Sequence, residues 1–139
     1  MDCREAAQNP ELDSQGTPAL RVLAAVSDLL FVSKITAAAR QAGCTAQFFR
    51  EPQALLKAVP GEPCLIVVDL NHATLDPVAL ITRLKQDSTA QSAPIVAFLS
   101  HVQVDLKREA EKAGADLVLP RSVFSQNLYE MLRQRSCHL

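Results

Sequence analysis

The sequence predicts an α/β chain: a doubly wound parallel sheet of five strands, each followed by a helix, in a three-layer α/β/α sandwich. Three observations predict it. Short, nearly continuous apolar runs at 21–26, 64–69 and 93–99 read as strands buried on both faces, and such strands belong mostly to parallel sheets. Stretches of helical periodicity separate them, so strand and helix alternate along the whole chain. Glycine and proline punctuate the junctions at Gly43, Pro60-Gly61, Pro77, Pro94, Gly114 and Pro120.

The elements follow in order. Residues 1–18 are polar and broken by Pro10, Gly16 and Pro18, and are expected to form an N-terminal tail. Arg21 to Val26 is the first strand, and Ser27-Asp28 offers an N-cap for the helix that carries Phe31, Ile35, Ala38 and Ala42 on one face. Gly43 closes that helix. Cys44 to Arg50 reads as an outer strand. Glu51-Pro52 opens a short helix with Leu55, Leu56 and Val59 inward, stopped by Pro60-Gly61.

Cys64 to Asp69 is the central strand, ending on a carboxylate. A loop over Asn71 to Leu75 leads to a helix started by Asp76-Pro77, with Leu80, Ile81 and Leu84 inward. A polar loop, Asp87 to Ser92, precedes the strand Ala93 to Leu99, which ends on Ser100-His101. A charged helix over Val104 to Ala113 is closed by Gly114. Ala115 to Pro120 is the last strand, and Ser122 is expected to cap a final helix with Phe124, Leu128, Met131 and Leu132 inward. One domain over 19–135 and a short C-terminal tail, 136–139, account for the chain.

Composition excludes several classes. The 139 residues are 48% apolar and 21% charged, with a formal net charge of -1. A near-balanced charge argues against a nucleic-acid surface. No apolar run reaches the roughly 18–20 residues of a bilayer span, and residues 1–15 lack the apolar core of a signal peptide, so the expectation is a cytoplasmic chain without membrane or nucleic-acid partners. Cys3, Cys44, Cys64 and Cys137 show no metal-ligand spacing. Cys44 and Cys64 read as small buried apolar residues, Cys3 and Cys137 as tail thiols. No glycine-rich phosphate loop follows Val26, which leaves a nucleotide site without support.

In open parallel sheets the site lies past the carboxyl ends of the strands. That rim collects Val26-Ser27-Asp28, Asp69 and Ser100, with Pro120-Arg121 beside them. His72 and His101 fall near it and read as surface loop residues. With the strand–helix alternation, Asp69 closing the third strand, Ser100 closing the fourth and Ala113-Gly114-Ala115-Asp116 leading into the fifth, the chain resembles the receiver domains of bacterial response regulators, a flavodoxin/CheY-like fold. The resemblance covers about residues 20 to 134.

The resemblance implies a stand-alone signalling module of a two-component phosphorelay, not an enzyme. It puts Asp69 at the phosphoacceptor position and Ser100 at that of the hydroxyl that binds the phosphoryl group. The family's basic switch residue falls on Arg121 in a gap-free alignment, or on Leu119 if the prolines are aligned; the gap-free version keeps a basic residue. Arg121 either pairs with Asp69 and locks the site or points to solvent.

Two adjacent acids hold Mg²⁺ in the family, and Val26 and Ser27 stand at those positions. Attack of a carboxylate on a phosphoryl group needs a cation to neutralise the gathering charge, and Mg²⁺ wants hard oxygen ligands. Asp69 with the main-chain carbonyl of Asn71 makes a poor site. Asp28 is a substitute ligand if it swings in, with helix capping as its expected role. No cofactor is therefore expected, and Mg²⁺ only at a weakened site.

The expected module is a degenerate receiver that works by protein interaction. The alternatives are a working receiver phosphorylated on Asp69 by a histidine kinase, and a small-ligand or enzymatic α/β domain at the same rim. The implied partners are a histidine kinase or another signalling protein on the face of the fourth helix, fifth strand and fifth helix, or a second copy in a homodimer. That face spans about Val104 to Arg133 and carries Lys107, Arg108, Glu109, Glu111, Lys112 and Tyr129. Val118 stands where the family has its switch aromatic.

Overall fold

The computed structural model describes residues 20–100 and 103–134. Segments 1–18 and 136–139, together with Cys3, His101 and Cys137, lie outside the described residues. The strands are β1 (Arg21–Ala25), β2 (Thr45–Phe48), β3 (Cys64–Asp69), β4 (Ile95–Leu99) and β5 (Leu117–Pro120). The helices are α1 (Leu29–Ala42), α2 (Pro52–Ala58), α3 (Pro77–Gln86), α4 (Val104–Ala113) and α5 (Arg121–Gln134). All strand pairs are parallel, in the order β2-β1-β3-β4-β5.

Alternation along the buried strands builds two cores. Leu23, Ile66, Val68, Ile95, Ala97 and Val118 point to the face covered by Leu55 of α2, Leu80, Ile81 and Leu84 of α3 and Ala110 of α4. Val22, Ala24, Leu65, Val67, Val96 and Phe98 point to the face covered by Phe31 and Ile35 of α1 and by Phe124, Leu128 and Met131 of α5. Full burial of each of the larger side chains, the valines, leucines, isoleucines, phenylalanines and methionine, is worth roughly 1.5–3 kcal/mol. On the second face Phe98 stacks on both Phe31 and Phe124, with ring centroids 4.8 and 4.6 Å away, and the outer two rings are 6.2 Å apart, so the three form one aromatic cluster.

Local signals set the helix ends. Asp28 Oδ1 accepts the backbone N–H groups of Leu30 and Phe31, and Asp76 accepts that of Ala79. Gly43 ends α1 in the left-handed conformation at φ 76. At the opposite end of the sheet, Arg21 donates to the carbonyls of Val59 and Glu62 at 2.7 and 2.6 Å and to that of Ala58, closing the end of α2 onto β1.

Some boundaries differ from the sequence expectation. β2 is shorter than 44–50, and Cys44 is half-buried rather than buried, because β2 is the edge strand and its neighbours cover only one side. Ser122 does not cap the last helix. Pro120 is still paired with Leu99, and Arg121 is already helical, so the chain passes from strand to helix with no extended residue between them for a cap.

Candidate functional site

Asp69 closes β3 and is 2% exposed, the one charged residue buried among the described residues. The parallel order places β3 between β1 and β4, so the ends of both neighbouring strands flank it. β1 ends at Ala25. Val26 turns into the apolar core of the α1/α5 face, and Ser27 is exposed. Neither presents a carboxylate.

Asn71 supplies the polar frame, reaching Ser100 and Gln103 as well as Asp69. Asn71 donates its backbone N–H to Asp69 Oδ1 at 2.8 Å. Its side-chain Oδ1 accepts the Ser100 N–H at 2.6 Å, and its Nδ2 donates to Gln103 Oε1 at 3.0 Å. Asn71 thereby ties the loop after β3 to the loop after β4. Ser100 is exposed at the end of β4. His72 is a loop staple: its Nδ1 accepts the N–H groups of Thr74 and Leu75, at 3.2 and 3.1 Å.

The cation of the site is Arg121, at the first position of α5. Its Nη2 donates to Asp69 Oδ2 at 3.3 Å and its Nη1 to Asp28 Oδ2 at 3.1 Å. The guanidinium lies over Phe31 and Phe98, its Cζ 4.8 and 5.6 Å from the ring centroids. Leu119, the other residue aligned to the basic position, is buried in the α1/α5 core in register with Phe98, and its apolar side chain has nothing to donate to Asp69. Asp28 is both cap and ion-pair partner, because its two oxygens divide the work: Oδ1 holds the helix, Oδ2 holds Arg121. Sequence spacing showed the cap; nothing in it showed the ion pair, which spans 93 positions.

The two carboxyls differ electrostatically. Burial pushes Asp69 above the ordinary carboxylate range, against the hydrogen bond from Asn71 and the charge of Arg121. Asp28 is held below that range, chiefly by its hydrogen bond from Arg121.

This arrangement does not fit a divalent ion. Among the described residues no group of three or more His, Cys, Asp or Glu is placed to hold a metal. The Val26 side chain has no ligand atom, and Asp28 and Asp69 each have Oδ2 on the Arg121 guanidinium.

On the neighbouring face, Lys107 and Glu111 pair along α4 at 3.8 Å, both half exposed. Arg108, Glu109 and Lys112 are exposed beside them. Tyr129 lies on α5 and Val118 is buried in β5, lining a cavity of about 100 Å³ with Leu99, Gln103 and Pro120.

No family model matches the sequence, and no curated protein matches it. Solved structures do. A chemotaxis response regulator of Vibrio cholerae is similar over 84% of this chain and 98% of its own, at 18% identity and a TM-score of 0.70. The receiver domain of a sensor histidine kinase of Pseudomonas aeruginosa, with a magnesium ion coordinated in its active-site cleft, is similar over 84% and 96%, at 14% identity and TM-score 0.70. A response regulator in red light signalling of R. palustris is similar over 83% and 90%, at 20% identity and TM-score 0.65. The chain has the CheY-like receiver fold.

Proposed function

We propose that the chain is a receiver-like signalling module of a bacterial two-component phosphorelay that acts by binding another protein, with an impaired Mg²⁺ site and no catalytic activity of its own. The observation that carries this reading is the Arg121–Asp69 ion pair at the carboxyl end of β3, flanked by Val26 and Ser27. The acceptor carboxylate is already paired. A phosphoryl donor is itself an anion, and one guanidinium shared by two carboxylates leaves a net negative charge where transfer needs a positive one.

A binding role is supported by the surface. Among the described residues the large exposed apolar side chains are Leu29, Leu30, Val104 and Tyr129. The first two stand beside Asp28 at the rim. The other two lie on the face of α4, β5 and α5, where a histidine kinase or another signalling protein, or a second copy of the chain, would dock. Net charge of -1 disfavours nucleic acid. No helix among the described residues is long and apolar enough to cross a membrane, and a cytoplasmic location fits a phosphorelay role.

The test is intact mass after incubation with acetyl phosphate, with and without Mg²⁺, beside Asp69→Asn. The expected result is no added phosphoryl group. A Mg²⁺-dependent gain of one, absent in Asp69→Asn, would overturn the reading in favour of a working receiver with Asp69 as phosphoacceptor and Ser100 as the hydroxyl beside it.

A further inference from the structure

Asp28 and Asp69 come from different elements, yet the Oδ2 atoms of both lie on one guanidinium, at 3.1 and 3.3 Å. Each carboxylate is anchored by its other oxygen: Asp28 Oδ1 by the α1 N–H groups, Asp69 Oδ1 by the Asn71 N–H. Both Oδ2 atoms are thus held in place independently of Arg121. Behind the guanidinium stand Phe31 and Phe98, whose ring faces favour a cation. The frame is a cation seat made of two fixed carboxylates and two aromatic rings.

We infer that Arg121 is the resident cation of this seat, and that Arg121 and a divalent ion are mutually exclusive occupants of the Asp28–Asp69 pair. The inference rests on the receiver-like reading of the same rim. It adds that Asp28 is the second acid of the pair, in a position one residue beyond Ser27, and that Arg121 keeps a divalent ion out. Like charges fixed this close need a counter-charge. The Arg121 guanidinium supplies one unit of positive charge. With the guanidinium cut back, two preset carboxylates offer the hard oxygens that Mg²⁺ and Mn²⁺ take.

The experiment titrates Mn²⁺ into the full chain and reads the free ion by electron paramagnetic resonance, for wild type, Arg121→Gln and the double variant Arg121→Gln/Asp28→Asn. Asparagine keeps the helix cap, so the double variant removes one carboxylate charge without releasing α1. Because a competing occupant lowers apparent affinity by the fraction of open sites, Arg121→Gln is expected to bind Mn²⁺ at least about tenfold tighter than wild type. Asp28→Asn is expected to return that gain to the wild-type value.

Equal affinity in wild type and Arg121→Gln overturns the inference, and so does a gain that survives Asp28→Asn. Circular dichroism melts establish that each variant is folded. Should Arg121→Gln fail to fold, Arg121→Met replaces it. Methionine keeps an apolar stem against Phe31 and Phe98 without the charge, so tighter Mn²⁺ binding than in wild type supports the inference and unchanged binding overturns it. The two readings fail separately. Phosphorylation of the wild type by acetyl phosphate sinks the interaction module, whereas Mn²⁺ binding that ignores Arg121 sinks the resident cation.

Discussion

Arg121 Nη2 donates to Asp69 Oδ2 across 3.3 Å, joining the first residue of α5 to the last of β3 over 52 positions of chain. One partner is a quarter exposed and the other almost wholly buried. That asymmetry decides what breaking the pair does. Removing the arginine leaves a carboxylate that water cannot easily reach, whereas removing the carboxylate leaves an arginine that can turn outward.

Arg121→Ala is therefore expected to destabilise the fold by about 2 kcal/mol, below the range for a fully buried pair because Arg121 keeps some solvent. In the double variant Arg121→Ala/Asp69→Asn the stranded charge is gone, and the loss is expected to fall short of the summed single effects by about 1 kcal/mol. Urea denaturation of the four proteins reads the cycle. Strict additivity would mean the two side chains are energetically independent.

The two aspartates predict opposite pH dependences. Asp28 is held low, chiefly by its hydrogen bond from Arg121. Its stabilisation is present above the unfolded value of about 3.9 and is lost as pH falls through its lower folded value. Asp69 is pushed up by burial. Its charge costs stability once pH rises above that raised value, and the cost disappears below about 3.9. Urea midpoints measured across acid to neutral pH should move in favour of wild type over Asp28→Asn as pH rises through Asp28's range. They should move in favour of Asp69→Asn over wild type as pH rises through Asp69's range. The same direction for both would contradict the assignment of causes.

Phe98 is expected to be the costliest single truncation at this end of the sheet. It is fully buried, stacked on both Phe31 and Phe124, and forms part of the Arg121 platform. Phe98→Ala should cost about 3–5 kcal/mol, read as a lowered urea midpoint at unchanged slope. A cost below about 1 kcal/mol would mean that the neighbouring rings collapse into the space.

Gly43 and Gly114, two of the three positive-φ glycines among the described residues, should respond unequally to alanine. Gly43, at φ 76, has open space where a Cβ would stand, so Gly43→Ala is expected to cost about 1 kcal/mol from backbone strain alone. At Gly114, φ 126, the added Cβ would overlap Lys85 Cγ. Lys85 would be displaced from Asp116 and from the Gln91 carbonyl, so the cost is expected to be about 2 kcal/mol. Thermal melts of the two variants give the order.

The sequence by itself determined the architecture. Continuous apolar runs such as Cys64 to Val68 belong to strands covered on both faces, and the helical spacing of Phe31 and Ile35, or of Leu80, Ile81 and Leu84, says which side of each helix turns inward. The rim position of Asp69 and Ser100, the absence of acids at Val26 and Ser27 and the capping by Asp28 were legible for the same reason: all are local, fixed by a residue's place in its own element. Tertiary structure alone decided what those residues do to one another. Whether Arg121 faced solvent or Asp69 turned on a strand–helix junction without a loop that aims Arg121 at β3 and buries Leu119. The second bond to Asp28, the seat on Phe31 and Phe98, and the bridge from Asn71 to Ser100 and Gln103 join side chains tens of positions apart. Pairings of that kind leave no periodicity in a sequence, because they are set by the order in which parallel strands assemble and by where their ends converge.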